Sequence, residues 1–279
     1  LEQTIAAGQR SIEHPRLFLL SCFNHDKINS ENHNLLTLFK DANSMQELLA
    51  HQDQQQCDQA MADMAKSDTW WVPTLQVLEI STRAQTPTLK DEARLDYVPG
   101  VIKQFMWYPD LKRHQKLSAD AQDSRVVDTV FQQALEHVNA AHKAGVHIMA
   151  GTDSGDTFVF AGSSMHDELS LMVKAGLSPA AALKAATFNA AKFAEMEKDS
   201  GSIAQGKIAD IVILNANPLE DIEHIRQVEG VIFNGHYFDK QQLAQMKQLV
   251  LDYASSINAN VKLLASALKS PTMRVQIYD

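Results

Sequence analysis

Residues 127 to 155 constrain the fold more than any other stretch of the chain. Val127, Val130, Phe131, Ala134, Leu135, Val138 and Ala141 recur at three- and four-residue steps, the spacing of one apolar helix face. Gly145 supplies the stop, because glycine readily takes the left-handed conformation that closes a helix. Val146-His147-Ile148-Met149-Ala150-Gly151 reads as a buried strand, and Thr152-Asp153-Ser154-Gly155 as a polar turn at its carboxyl end. A helix feeding a buried strand is the unit of parallel α/β packing.

Two further units fit the same pattern. A helix with apolar Leu1, Ile5 and Ala6 stops at Gly8, and Ser11-Ile12-Glu13-His14 is a short extended run ended by Pro15, which leaves His14 at a strand edge. Gln54 to Lys66 has helical spacing at Cys57, Met61 and Met64 and leads into the aromatic, β-branched run Thr69 to Leu75. Beyond the 127–155 unit, one helix is expected from His166 to Ala175 with Gly176 as its stop. Another is capped by Ser178, has Pro179 at its first position and ends near Phe193. Only three strand-helix units fit into the first 195 residues, whereas a closed eight-unit barrel needs about 250 residues and eight strands.

Between these units the pattern weakens. Residues 15 to 50 read as a long decorated connection, and residues 78 to 123, with Pro87, Pro99, Pro109 and the aromatic group Phe105, Trp107 and Tyr108, as a long insertion or lid. After Gly201 the texture changes to short β runs, Ile208 to Leu214 and Val231 to Gly235, which form a second, smaller β layer. Leu243, Met246, Leu249, Val250, Tyr253 and Ile257 then predict a terminal helix within residues 240 to 269.

Charge and cysteine usage remove several function classes. A net charge of -9 has the wrong sign for gripping phosphate backbones, so no nucleic-acid partner is expected. No window approaches the 18 or so apolar residues of a membrane span, so no membrane partner is expected either. Leu1 to Gly8 contains neither an initiator Met nor a leader pattern. We expect the start to be missing, which leaves cytoplasm and periplasm both open. Cys22 and Cys57 lack CxxC spacing and read as two buried thiols, not as a disulfide framework or a zinc ribbon.

In parallel α/β folds the carboxyl ends of strands share one functional face, which makes His14, Thr74 and Asp153 the natural candidates. The residue types alone leave a bland reading open: a hydrogen-bonded structural histidine and a turn-forming aspartate. His25, His33, His51, His114, His137, His142, His224 and His236 show no metal-ligand spacing and are expected mostly at the surface.

The order of the pieces carries more information than any one of them. Ala7-Gly8-Gln9-Arg10-Ser11-Ile12-Glu13-His14, Asp68 to Leu75, and Gly145 to Ser154 are followed by His166-Asp167-Glu168-Leu169, Ala175-Gly176-Leu177-Ser178-Pro179 and Ala185 to Ala191. Gly201-Ser202-Ile203-Ala204-Gln205-Gly206-Lys207-Ile208-Ala209-Asp210-Ile211-Val212, Asn217-Pro218-Leu219 and Val231 to Gly235 complete the series. Together they resemble the carboxyl-terminal half of the amidohydrolase superfamily, metal-dependent hydrolases related to imidazolonepropionase and Xaa-Pro dipeptidase. Pro15 departs from the pattern, since relatives often have glycine there.

The resemblance implies an α/β fold: a partial TIM (β/α)8 barrel, strands six to eight with their helices, over residues 1–195. Part of a small β-sandwich would occupy 196–240 and a helical tail 241–279. It implies that His14 is a metal ligand and that Asp153 is both ligand and general acid/base; His166, in the first turn of its helix, either faces the site and orients substrate or serves as a surface cap. The expected cofactor is a divalent metal, zinc foremost, as one or two ions. Such an ion acidifies bound water and polarises a carbonyl while an adjacent carboxylate moves the proton.

The implied reaction is hydrolysis of an amide-type C–N bond, cyclic or peptidic, with a small-molecule amide or dipeptide as substrate. The His-x-His pair, the Lys or Glu and the further His that relatives use find no counterpart before His14. We therefore expect a fragment that neither binds metal tightly nor turns over substrate alone, and that pairs with its missing amino-terminal half or with another copy. The alternative is a catalytically inactive scaffold or assembly subunit. The upstream reading frame discriminates the two, because the missing ligands in that order would favour the enzyme.

Overall fold

The computed structural model describes residues 1–24 and 35–269. Along the chain it contains α1 (Glu2–Ala6), β1 (Ser11–Glu13), α2 (Arg16–Ser21), a 3-10 turn (Leu35–Phe39), α3 (Ala42–Ala50), α4 (Gln54–Ala65), β2 (Trp70–Val72) and α5 (Leu75–Arg83). Then come α6 (Gly100–Ile102), α7 (Tyr108–Leu117), α8 (Ala121–Ala144), α9 (Ser164–Lys174), α10 (Pro179–Ala186) and α11 (Phe188–Phe193). Strands β3 (Ile211–Leu214), β4 (Val228–Phe233) and β5 (His236–Asp239), with helices α12 (Lys240–Ser255) and α13 (Ile257–Lys269), complete a mixed α/β architecture.

β1 and β2 pair in parallel with Ile12 opposite Trp71, and residues 146–150 lie along the far edge of β2. There Trp71 N donates to His147 O at 2.8 Å and Met149 N to Trp71 O at 2.9 Å. The expected third strand is thus an extended segment with one bridge instead of a full ladder. Its own outer edge meets helices: Ala150 N donates to Ala185 O, and Asn189 Nδ2 to Ile148 O at 2.8 Å. Gly151 is required here, because a Cβ at that position would lie 2.5 Å from Val72 Cγ1.

α8 is the spine of the core. Asp120 caps it by accepting from Gln122 N and Asp123 N, and Gly145, at φ 88°, closes it. Its buried face, Val127 to Ala141, packs against α2, α3, α4, α5 and α9. Phe18, Trp71, Met64, Leu75 and Met172, all fully buried, meet there.

Several expectations are corrected. The 15–50 stretch, where described, is helical: α2, the 3-10 turn and α3, short elements whose few turns leave no readable period. The 78–123 stretch is likewise a run of short helices, built on its own small core of Ile80, Leu89, Leu95, Trp107, Leu111, Phe158 and Phe160. Trp107 stacks on Phe158 at 5.6 Å and donates from Nε1 to Gly155 O at 3.0 Å, so the aromatic group anchors the insertion to the turn after Asp153. Phe105, at 61% exposed, takes no part in this. The helix expected to run to Phe193 breaks at Thr187, whose hydroxyl bonds back to Leu183 O, and the terminal helix breaks at Ser256. Cys22 and Cys57 are buried but are not separate thiols: they form a disulfide between the end of α2 and α4. Packing of α2 on α4 brings them together, which a spacing of 35 residues does not reveal.

β3, β4 and β5 form a separate antiparallel sheet that exposes Val212, Phe233 and Tyr237. Asp239 and Gln242 cap α12 reciprocally. Among the described residues, no helix is long and apolar enough to cross a membrane.

Candidate active site

His14, Thr74 and Asp153 follow β1, β2 and the 146–150 segment, and each has a positive φ: 74°, 44° and 56°. Residues with a Cβ rarely occupy this region, and each instance costs roughly 1 to 3 kcal/mol unless its surroundings enforce it. Here they do. His14 N donates to Val72 O at 2.9 Å, and its carbonyl accepts from Trp71 Nε1 at 3.0 Å. Asp153 O accepts from Asp156 N at 3.1 Å. After Thr74, the first two amides of α5 donate to the carboxylate of Glu168, Leu75 N at 2.9 Å and Gln76 N at 3.2 Å.

The three side chains converge. His14 Nδ1 lies 3.2 Å from Thr74 Oγ1 and 4.0 Å from Asp153 Oδ2. Thr74 is buried, whereas His14 and Asp153 are 47% and 48% exposed and reachable from solvent. A gap of 4.0 Å is too wide for a hydrogen bond and about half an ångström wider than two donors of one tetrahedral zinc, each roughly 2.0 to 2.2 Å from the ion, would span, so a small closure brings the pair to a shared cation. On this geometry the pair fits a shared metal.

The surrounding groups are mostly acidic. Burial pushes the Asp156 carboxyl above the usual range, with Asp110 and Asp153 adding to the effect. Burial opposes ionisation of Asp110, yet hydrogen bonds from His114 and Thr157 outweigh it and hold its carboxyl low. His114 bridges the two walls, with Nδ1 2.7 Å from Ser81 Oγ and Nε2 3.2 Å from Asp110 Oδ2. Burial lowers the Arg16 guanidinium below its ordinary value, and Asp156 offsets part of that. Glu168, fully buried behind Thr74, is pushed up to about 8 by burial despite the amides that donate to it.

His166 is in the first turn of α9 and half-buried. Burial lowers its pKa, and the charged groups acting on it are Arg226, Asp167, Glu223 and Lys247, none of which belongs to the His14 cluster. His25 and His33 fall outside the described residues. His137, expected at the surface, is buried beside the disulfide. Its Nε2 is 3.5 Å from Cys57 Sγ, and burial brings its pKa down to about 4. Cys22, Cys57 and His137 would make a metal-capable trio, but in the disulfide the sulfurs are bonded to each other.

Glu168 was legible only as part of a motif, although a carboxylate in register with buried Ser164, Leu171 and Met172 of α9 is a signal of its own. Arg16 and Asp156 carried no such signal.

The amidohydrolase family model matches residues 77–237. Ochratoxinase of Aspergillus niger is 35% identical over 99 residues, covering 35% of this chain and 20% of that protein. Among solved structures, bottromycin amidohydrolase matches with a TM-score of 0.68 at 22% identity, over 91% of this chain and 50% of that one, and shares the fold. A Xaa-Pro dipeptidase with methionine bound in its active site matches with a TM-score of 0.49 at 22% identity, over 85% of this chain and 42% of the other. The alignments thus span a fifth of the ochratoxinase and half of the bottromycin enzyme.

Proposed function

The chain belongs to the amidohydrolase family, and from that premise we propose that His14 and Asp153 hold a divalent metal, zinc foremost, with which the full-length protein hydrolyses an amide-type C–N bond. The 4.0 Å approach of His14 Nδ1 to Asp153 Oδ2 at two enforced strand ends carries this reading. When bound, the metal supplies an acidified water and a polarised scissile carbonyl. Asp153 would take a proton from the attacking water and return it to the leaving nitrogen, for which a half-exposed carboxylate on a fixed turn is well placed. Thr74, 3.2 Å from the same Nδ1, positions the His14 imidazole while that nitrogen is free and would give up the contact to a metal bound there. His166 remains a proposed substrate contact.

In this reading β1, β2 and residues 146–150 are the sixth to eighth strands of a (β/α)8 barrel over residues 1–195. Residues 196–240 contribute to a β-sandwich, and 241–279 are a helical tail. A zinc site takes about four ligands, so this reading requires further donors beside His14 and Asp153, which pairing with the amino-terminal half of a longer protein or with a second copy would bring. Exposed Val212, Phe233 and Tyr237 on the small sheet support such pairing.

The test is turnover of N-acyl amino acids, dipeptides and cyclic amides by the full-length protein. Asp153→Asn is expected to lower kcat by about 1,000-fold or more while the melting temperature holds. Activity near that of the wild type in this variant removes Asp153 from the mechanism.

A further inference from the structure

Arg16 opens α2 only two residues beyond His14 and is partly buried, yet among the described residues its guanidinium has neither an ion pair nor a hydrogen bond. The other partly buried arginines differ: Arg83 reaches Glu79 and Glu92, and Arg94 reaches Glu92 and Asp167. Arg16 instead lies over the ring of Phe39, 5.1 Å from its centroid, and Asp156 acts on it electrostatically without ion-pair contact. Asp156 sits three residues after Asp153 in the same turn, so Arg16 stands between the 3-10 turn that carries Phe39 and the turn that carries Asp153.

A partly buried guanidinium with no ion pair and no hydrogen bond is costly, and an anion that arrives with the substrate would complete it. Resting on the hydrolase reading above, we propose that Arg16 is the subsite for the free carboxylate of an N-acylated α-amino acid or dipeptide. The planar guanidinium presents paired donors that match a carboxylate, and stacking on Phe39 fixes its plane. Neutral amides, including cyclic amides without a carboxylate, lose this contact.

The test is a panel of N-acetyl α-amino acids, each paired with its decarboxylated counterpart, given to the full-length protein. The acid is expected to be preferred by about 100-fold in kcat/KM, the size of a charge-assisted bidentate contact. Arg16→Gln is expected to collapse that ratio to within about threefold of one, with Arg16→Lys in between. Equal use of both partners by the wild type, or a ratio unchanged in Arg16→Gln, overturns the assignment.

Calorimetric binding of the same pairs to Asp153→Asn reads the subsite without turnover. Discrimination there that vanishes in the Arg16→Gln double variant supports it, and equal affinity for acid and counterpart overturns it. Carboxylate discrimination in binding with no hydrolysis of any pair leaves the subsite standing and counts against the hydrolase reading alone.

Discussion

The Thr74 hydroxyl lies 3.2 Å from His14 Nδ1, so a buried side chain at the end of β2 sets the ring orientation of a half-exposed imidazole at the end of β1. Thr74→Val keeps the shape and removes the hydroxyl. It is expected to cost about 1 kcal/mol in urea unfolding and to lower kcat/KM of the full-length protein about tenfold, whereas Thr74→Ser stays close to wild type. Equal activity of the Val and Ser variants would show that the contact does not orient His14.

Glu168 gives the pH dependence its sign. Burial raises its pKa in the folded protein to about 8 from the ordinary glutamate value of 4.5, so the folded state holds this proton more tightly than the unfolded chain does. The contribution to stability is complete below the unfolded value and is lost as pH rises toward the folded one. Glu168→Gln cannot ionise and is expected to escape that loss. From about pH 5 to pH 8 it should gain on the wild type by a few kcal/mol in urea unfolding, although it begins lower because one amide of α5 loses its acceptor. Parallel stability curves for the two proteins would contradict this.

The Cys22–Cys57 disulfide closes a loop of 35 residues, for which chain entropy gives about 4 kcal/mol of stabilisation. Replacing both cysteines by serine is expected to lower the unfolding free energy by roughly that amount, read from denaturant midpoints at constant m-value. A change under about 1 kcal/mol would mean that α2 and α4 hold each other without the bond.

Long and locally specified features were legible in the sequence. α8 announced itself by seven apolar positions and a stop at Gly145, and β1 by the proline that follows His14. Thr74 and Asp153 could be placed on the same face as His14 because strand ends in parallel packing point one way. Features that depend on a distant partner were not legible. The disulfide needs α2 laid on α4, and His137 is buried only because α8 presents it to that junction. Glu168 acts through the amides of Leu75 and Gln76, more than 90 residues away. The insertion between α5 and α8 hid its order in 3-10 and π turns, which have no apolar period to read.

Anomalous diffraction at the zinc edge, from crystals of the full-length protein grown with zinc, tests the central claim most directly. The expected result is a peak within about 2.0 to 2.2 Å of both a His14 ring nitrogen and an Asp153 carboxylate oxygen. A peak elsewhere, or none between these two side chains in zinc-loaded protein that hydrolyses an amide, would contradict it.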